Sequence, residues 1–374
     1  MTASDEAPAA KKARKKAAVE KVTFDTVVER LRQTEVLSKL PKSGLDQFIC
    51  THHGTFHADE VMACAMLKCL PDYATLPILR TRNTAEIDQA TIVVDVGGAY
   101  DASNHRYDHH QKTFVDTYSS DYPEIRLSSA GLVFKHFGAT VVQALCGPLD
   151  KKARRAILSK TYDSLIRELD ALDNGVQIAD NPRYGICTHL GARVGRLNPS
   201  WQEQSSPALE NEQFQKALEL AFKELSDVIC GYCNGWLPAR AIVEEALDNR
   251  QEVHPSGEIM KLPRHCPWQE HLFDLESQEE KHRTPLTKYI LFADSRAGWR
   301  VQAAPAKKGS FENRLSLPKA WCGLRDEELS DLTGIPGCVF VHANGFIGGH
   351  ADEAGAFKMA IKALDKKPGK QGKK

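Results

Sequence analysis

The run Thr91-Ile92-Val93-Val94-Asp95-Val96, closed by Gly97-Gly98, constrains what this chain can fold into more than any other segment. A continuous β-branched run without polar alternation reads as a strand buried on both faces, the kind found in a parallel sheet covered by helices. An aspartate at the carboxyl end of such a strand is costly unless something compensates its charge. In open α/β sheets that same end is where ligands collect.

The surrounding sequence extends this pattern. Phe48-Ile49-Cys50 is a second short apolar run, and residues 59–70 carry Met62, Ala65, Met66, Cys69 and Leu70 at helical spacing. Helical periods recur over 24–40, 130–137, 153–172, 211–229 and 239–247. Residues 45–200 are therefore expected to form an α/β domain with a doubly wound, mainly parallel sheet, preceded over 1–44 by a basic tail and a helix. A helical connector is expected over 201–287. A second, smaller α/β domain follows over 288–365, with Asn344-Gly345 as a hairpin turn and a helix carrying Ala354, Phe357, Ile361 and Leu364. Residues 366–374 form a second basic tail.

Charge and composition narrow the function. The two tails hold 11 of the 49 basic residues but only Asp5, Glu6 and Glu20 of the 49 acidic ones, so the body carries a net charge of −8. That suits a site that gathers divalent cations better than a broad nucleic-acid surface. The run Lys11-Lys12-Ala13-Arg14-Lys15-Lys16 reads as a nuclear-import or nucleic-acid tail, or as a solvated linker. No stretch has the length of a membrane span or the layout of a secretory signal, so an intracellular protein is expected. The ten cysteines read as free thiols; Cys230 and Cys233 form a lone C-x-x-C without a partner pair at zinc spacing.

Six of the 14 histidines fall between residues 52 and 110, and they define three segments. The first is His53-Gly54-Thr55-Phe56-His57-Ala58-Asp59-Glu60, placed behind the strand at 48–50. The second is Asp95, and the third is Asp108-His109-His110. Mixed imidazole and carboxylate ligands suit manganese, iron or zinc better than calcium. Two close cations need a shared carboxylate, and Asp95 is the candidate bridge. His105 and His136 are not expected to be ligands.

In this order, His53-x-x-x-His57-x-Asp59, Asp95 and Asp108-His109-His110 resemble the first three motifs of the DHH phosphoesterase superfamily. Within it, Thr51-His52-His53-Gly54-Thr55-Phe56-His57-Ala58-Asp59-Glu60 and Arg106-Tyr107-Asp108-His109-His110-Gln111 are similar to the melanocyte-proliferating-gene-1 family. So are Gly323-Leu324-Arg325-Asp326-Glu327-Glu328-Leu329 and Gly348-Gly349-His350. The resemblance spans about residues 45–365. It implies a fourth-motif aspartate, for which Asp173 is preferred to Asp170. It also implies two divalent ions, manganese foremost, with magnesium, iron or zinc as alternatives. His53, His57 and Asp95 would hold one ion, and Asp59, Asp95, His109 and Asp173 the other. His110 would bind a phosphate oxygen, and Asp108 would orient His109. His57 stands where many members of the superfamily have aspartate, which bears on metal preference.

The same resemblance makes the second domain a substrate-binding module. Gly348-Gly349-His350 is expected to open a helix as an anion site, with Arg314, Arg325 and Arg193 as further phosphate-binding candidates. The implied activity is a 3′-to-5′ exonuclease acting on a single-stranded RNA end, in the nucleus, mitochondrion or cytoplasm, as monomer or homodimer. Hydrolysis of a small phosphate or pyrophosphate, or a metal-binding regulatory role with little turnover, are the alternatives.

Overall fold

In the computed structural model, residues 20–278, 284–295 and 298–365 are described. The two basic tails, and with them the run Lys11 to Lys16, lie outside these residues. The chain divides into two compact units between Tyr232 and Cys233.

The first unit is a mixed α/β structure around a mainly parallel sheet. Its elements are α1 (Phe24–Gln33), β1 (Val36–Leu37), β2 (Ile49–Thr51), α2 (Ala58–Lys68), β3 (Ile78–Arg80), α3 (Thr84–Ile87), β4 (Ile92–Val94), β5 (Tyr100–Asp101) and β6 (Arg106–Tyr107). The helices α4 (Ser129–Cys146), α5 (Lys151–Thr161), α6 (Arg167–Asp173), α7 (Leu190–Gly195) and α8 (Pro207–Gly231) follow. The strand order is β1-β3-β2-β4-β6-β5, parallel throughout except for the edge strand β5. Every residue of β2, β3 and β4 is buried, as the apolar run predicts. Every residue of α2 is buried too, which is why its sequence shows little amphipathic contrast. This helix packs against α4 and α8 and carries Asp59 and Glu60 in its first turn.

Two expectations are corrected here. The helix expected over 24–40 ends at Gln33; Thr34 turns extended, with its hydroxyl on Arg30 O, and Val36–Leu37 joins the sheet beside β3. The connector expected over 201–287 does not exist as one element. Its helix α8, N-capped by Ser206 with Pro207 in the first turn, packs on α1 and α2 and belongs to the first unit.

The second unit contains α9 (Leu237–Asp248), α10 (Arg250–Val253), β7 (Ile259–Lys261), α11 (Gln269–Gln278), β8 (Tyr289–Ala293), β9 (Trp299–Ala303), α12 (Asp326–Thr333), β10 (Cys338–Val341), β11 (Ile347–His350) and α13 (Glu353–Asp365). Its sheet has the order β10-β11-β9-β8-β7, antiparallel except for the β7–β8 pair. One face is covered by α13 through Ala356, Met359, Ala360 and Ala363. Gly345 takes a left-handed φ of 65° in the β10–β11 hairpin, where the Asn-Gly pair places the turn.

Candidate metal centre

Asp95 follows directly on β4, and its backbone is turned out of the sheet into the left-handed region, with φ 57°. That conformation is strained for a residue with a Cβ and is the kind of cost that persists where a side chain must be aimed. The Asp95 amide still donates to Tyr107 O, and Ser129 Oγ donates to its Oδ1 at 3.2 Å. Gly97 and Gly98 continue in the left-handed region and form part of the lining of the site.

Three groups of ligand atoms converge around this aspartate. His52, His57, Glu60 and Asp95 form one; Asp95, Asp108, His109 and His110 another; Asp59, His109 and Asp173 the third. Within each group the atoms lie within 4.8 Å of one another. Asp95 is shared by the first two groups, as a bridging carboxylate would be. All of these residues except Glu60 and His109 line a cavity of about 730 Å³ whose walls also include Phe56, Arg82, Gly97, Gly98, Leu169, Leu172, Gly191 and Gly195.

Asp59 provides the test of whether cations fit. Both of its carboxylate oxygens are buried without a hydrogen-bond partner. Burial first, then repulsion from Asp95, Asp173 and Glu60, raises its pKa well above the usual carboxylate range. Burial likewise raises Asp95, against the opposing hydrogen bond from His52. Buried, unpartnered, mutually repelling carboxylates beside imidazoles are the surroundings that a divalent ion stabilises. The donor set fits such ions.

The histidines differ in their settings. Burial alone would favour neutral His52, but hydrogen bonds from Nε2 to Asp95 and Glu60 outweigh it and push its pKa up to about 10. His109 is buried, with Nε2 2.8 Å from Asp173 Oδ2 and its ring stacked on His110 at 4.3 Å. His110 is exposed, and Asp108 Oδ1 accepts from its ring Nδ1 at 2.7 Å and from its amide at 3.0 Å. That hydrogen bond raises the His110 pKa above the ordinary histidine value.

Against the expected site, His57, Asp59, Asp95, His109 and Asp173 come together, and His53 does not. Its side chain is exposed and belongs to none of the three groups, whereas the adjacent His52 is buried among them. The His52 ring reaches Glu60 Oε1 at 3.1 Å and Asp95 Oδ2 at 3.4 Å, contacts that His53 does not make. The orienting role given to Asp108 is also corrected: its partner is His110, not His109. Asp170 lies elsewhere, fully buried and accepting from Ser128 N, Ser128 Oγ and Tyr162 OH. Glu60 was not anticipated. It is buried, accepts the His57 amide at 2.9 Å and meets His52 Nε2 at 3.1 Å. The His57-x-x-Glu60 spacing, from helix cap to third position, was its signal.

The substrate-binding candidates are placed differently from expectation. Gly348, Gly349 and His350 lie in β11 and do not open a helix. His350 is 1% exposed, accepts the Asp352 amide on Nδ1 at 3.0 Å and donates from Nε2 to Pro336 O at 2.9 Å. A Cβ on Gly349 would come within 2.7 Å of the Phe340 ring, so that glycine serves strand packing. Arg314 is held by Glu276 at 2.7 Å and by Thr287 O, and Arg193 by Glu224 at 2.7 Å. Arg325 is exposed before α12, 3.8 Å from Asp326. Neither Cys230 nor Cys233 joins a metal-binding group among the described residues.

The MYG1 exonuclease family model, described as an uncharacterised protein family (UPF0160), matches residues 48–364. A MYG1 protein of Dictyostelium discoideum is 47% identical over 86% of this chain and 98% of its own length. The MYG1 exonucleases of Mus musculus and Homo sapiens are each 46% identical, covering 86% and 84% of this chain and 85% of their own lengths. A solved exonuclease RecJ bound to manganese covers 91% of this chain and 93% of its own at 13% identity, but its TM-score of 0.19 supports no argument. With the family model spanning nearly the whole described chain and such identities over most of its length, the chain belongs to the MYG1 exonuclease family.

Proposed function

We propose that this chain is a metal-dependent phosphodiester hydrolase that removes nucleotides from the 3′ end of single-stranded RNA, with two divalent cations at the centre and a doubly wound sheet beneath it. The observation that carries the reading is Asp59, whose two buried oxygens have no partner while Asp95 and Asp173 crowd it with like charge. The exonuclease names of the mammalian relatives support the reaction class, a nuclease.

His52, His57 and Asp95 would hold one cation; Asp59, Asp95, His109 and Asp173 would hold the other. When bound, such a pair supplies a readily deprotonated water and neutralises charge on the phosphoryl oxygens. The remaining work falls to the protein. Asp108 keeps the proton of His110 on Nδ1 and holds the ring in place, which leaves Nε2 to meet a phosphate oxygen. The same hydrogen bond raises the pKa of that imidazole, which favours its cationic form and a charge-assisted contact with phosphate. Glu60 fixes the start of α2, and with it the spacing of His57 and Asp59.

End-labelled RNA, end-labelled DNA and a small phosphodiester, each with manganese, magnesium or chelator, test the reading. Stepwise shortening of RNA from its 3′ end with metal, and none with chelator, is expected. Turnover of the small ester with intact RNA would replace this reading with a small-molecule phosphoesterase. No turnover of any substrate would leave a metal-binding regulatory protein.

A further inference from the structure

We infer that Arg82 holds a phosphate of the substrate strand beside the metal centre, an inference that rests on the phosphodiesterase reading above. Among the described residues lining the cavity, Arg82 is the one lysine or arginine. The others with charge include Asp59, Asp95, Asp108 and Asp173, a set that repels a phosphodiester until cations bind. Nothing in the sequence set Arg82 apart from the other arginines; the cavity does.

The backbone beneath it is fixed. Thr81 N donates to Thr51 O at 2.8 Å, which carries the pairing of β3 with β2 one residue further, and Thr81 Oγ1 donates to Glu86 Oε2 at 2.6 Å. Arg80 and Arg82, two apart on this extended stretch, leave the chain on the same side. Their fates differ. Arg80 is buried, donates to Gly54 O and to Asn211 Oδ1, and lies 4.8 Å from the Phe214 ring centre. Arg82 is exposed and makes no hydrogen bond or ion pair with any described residue. Arg193 and Arg314, by contrast, are each committed to a glutamate.

A permanently charged fork of donors, anchored at its base and unpaired at its tip, matches the geometry of phosphate oxygens better than a lysine would. In the lining of the same cavity, Gly98 has open space where a Cβ would stand, so no side chain there obstructs a strand reaching His110. Arg82 would thus supply cationic binding that does not depend on metal occupancy.

The test uses the full chain with manganese and end-labelled RNA. Arg82→Ala should lower kcat/KM about 10- to 100-fold, mainly through KM, the loss of one good charge-assisted contact. Manganese affinity should be unchanged. The slope of log kcat/KM against log salt should become shallower by about 0.7, the share of one phosphate contact on a single strand. Arg82→Lys keeps the charge and should retain the wild-type salt slope with an intermediate KM, and it answers the question if the alanine variant folds poorly. Wild-type KM and salt slope in both variants would overturn the inference, and so would loss of manganese binding in step with loss of activity. An inactive wild-type chain would instead sink the phosphodiesterase reading on which it rests.

Discussion

Asp108 grips His110 twice through a single oxygen, Oδ1, which accepts the backbone amide at 3.0 Å and the ring Nδ1–H at 2.7 Å. Its other oxygen accepts the Gly98 amide at 2.6 Å. The imidazole that faces the cavity is therefore tied to the glycine turn that follows Asp95. Deleting either partner should damage turnover without removing the ions. His110→Ala should lower kcat by about 100-fold or more, the usual loss when a positioned donor to the reacting oxygens is removed, with manganese stoichiometry intact. Asp108→Asn should lower kcat less and keep the metals. Metal loss in His110→Ala equal to that in His109→Ala would show that His110 is a ligand.

Asp59 predicts a reversal between the metal-free and metal-loaded protein. Without cations its buried carboxylate opposes folding through burial and like charge. Asp59→Asn should therefore leave the metal-free Tm unchanged or higher. Manganese should raise the wild-type Tm, by about 2.7 kcal/mol of stability when free metal is 100 times Kd, and should raise the variant far less. Thermal melts with chelator and with manganese decide this; equal metal-induced shifts would remove Asp59 from the ligand set.

What was legible in the sequence follows from how local the signals are. The strand ending at Asp95 was legible because β-branched residues without alternation have few other uses. The α2 helix was legible from its apolar spacing, and Asp59, Asp95 and His109 stood out as carboxylates and imidazoles next to such elements, whereas Asp173 came from the family resemblance. His52 and His53 carry the same side chain at adjacent positions, so residue type cannot say which one turns inward. Gly348-Gly349-His350 has no period of its own. It becomes a strand between its hairpin neighbour Cys338–Val341 and Trp299–Ala303, the latter distant along the chain. The two-residue strand β1 was hidden for the same reason.

His350 consequently has a structural assignment that is testable. Gly355 has no room for a Cβ because the His350 ring would lie within 1.8 Å of it, and the ring bridges Pro336 O and Asp352 N. His350→Ala opens a cavity and strands both backbone groups, so a stability loss of about 2–4 kcal/mol is expected. Urea unfolding measures it. An unchanged midpoint with impaired RNA turnover would restore the phosphate-binding role.

Asp170 should make stability depend on pH. Burial pushes its carboxyl up to about 7, against donors from Ser128 and Tyr162 that favour the charged form. The folded pKa lies above the unfolded value, so the folded state holds the proton more tightly. The resulting stability is present below pH 4 and is lost as pH rises through 7. Its size is roughly 4 kcal/mol from the shift. Asp170→Asn stays neutral throughout and should lack this decline. Unfolding midpoints of both proteins from pH 4 to 8 check the prediction, and parallel curves would refute it.

The segment between His52 and His57 is held next to His57 by a residue far along the chain. Asn198 Oδ1 accepts the Phe56 amide at 2.9 Å, and Asn198 Nδ2 donates to Phe56 O at 2.9 Å, so one side chain satisfies both polar groups of that peptide. Arg80 grips the same segment at Gly54 O. Two imidazoles separated by a loop can share an ion only if the loop is already ordered; otherwise the ion must supply the ordering free energy and binds more weakly. Asn198→Ala should weaken manganese at the His52–His57–Asp95 half about 10-fold, within the range expected when groups that orient ligands are removed. The half built from Asp59, His109 and Asp173 does not use this loop and should keep its affinity. Metal titration by calorimetry should then resolve one weakened and one unchanged site. Two unchanged sites would mean that the loop holds its shape without Asn198, and two weakened sites would point to general unfolding.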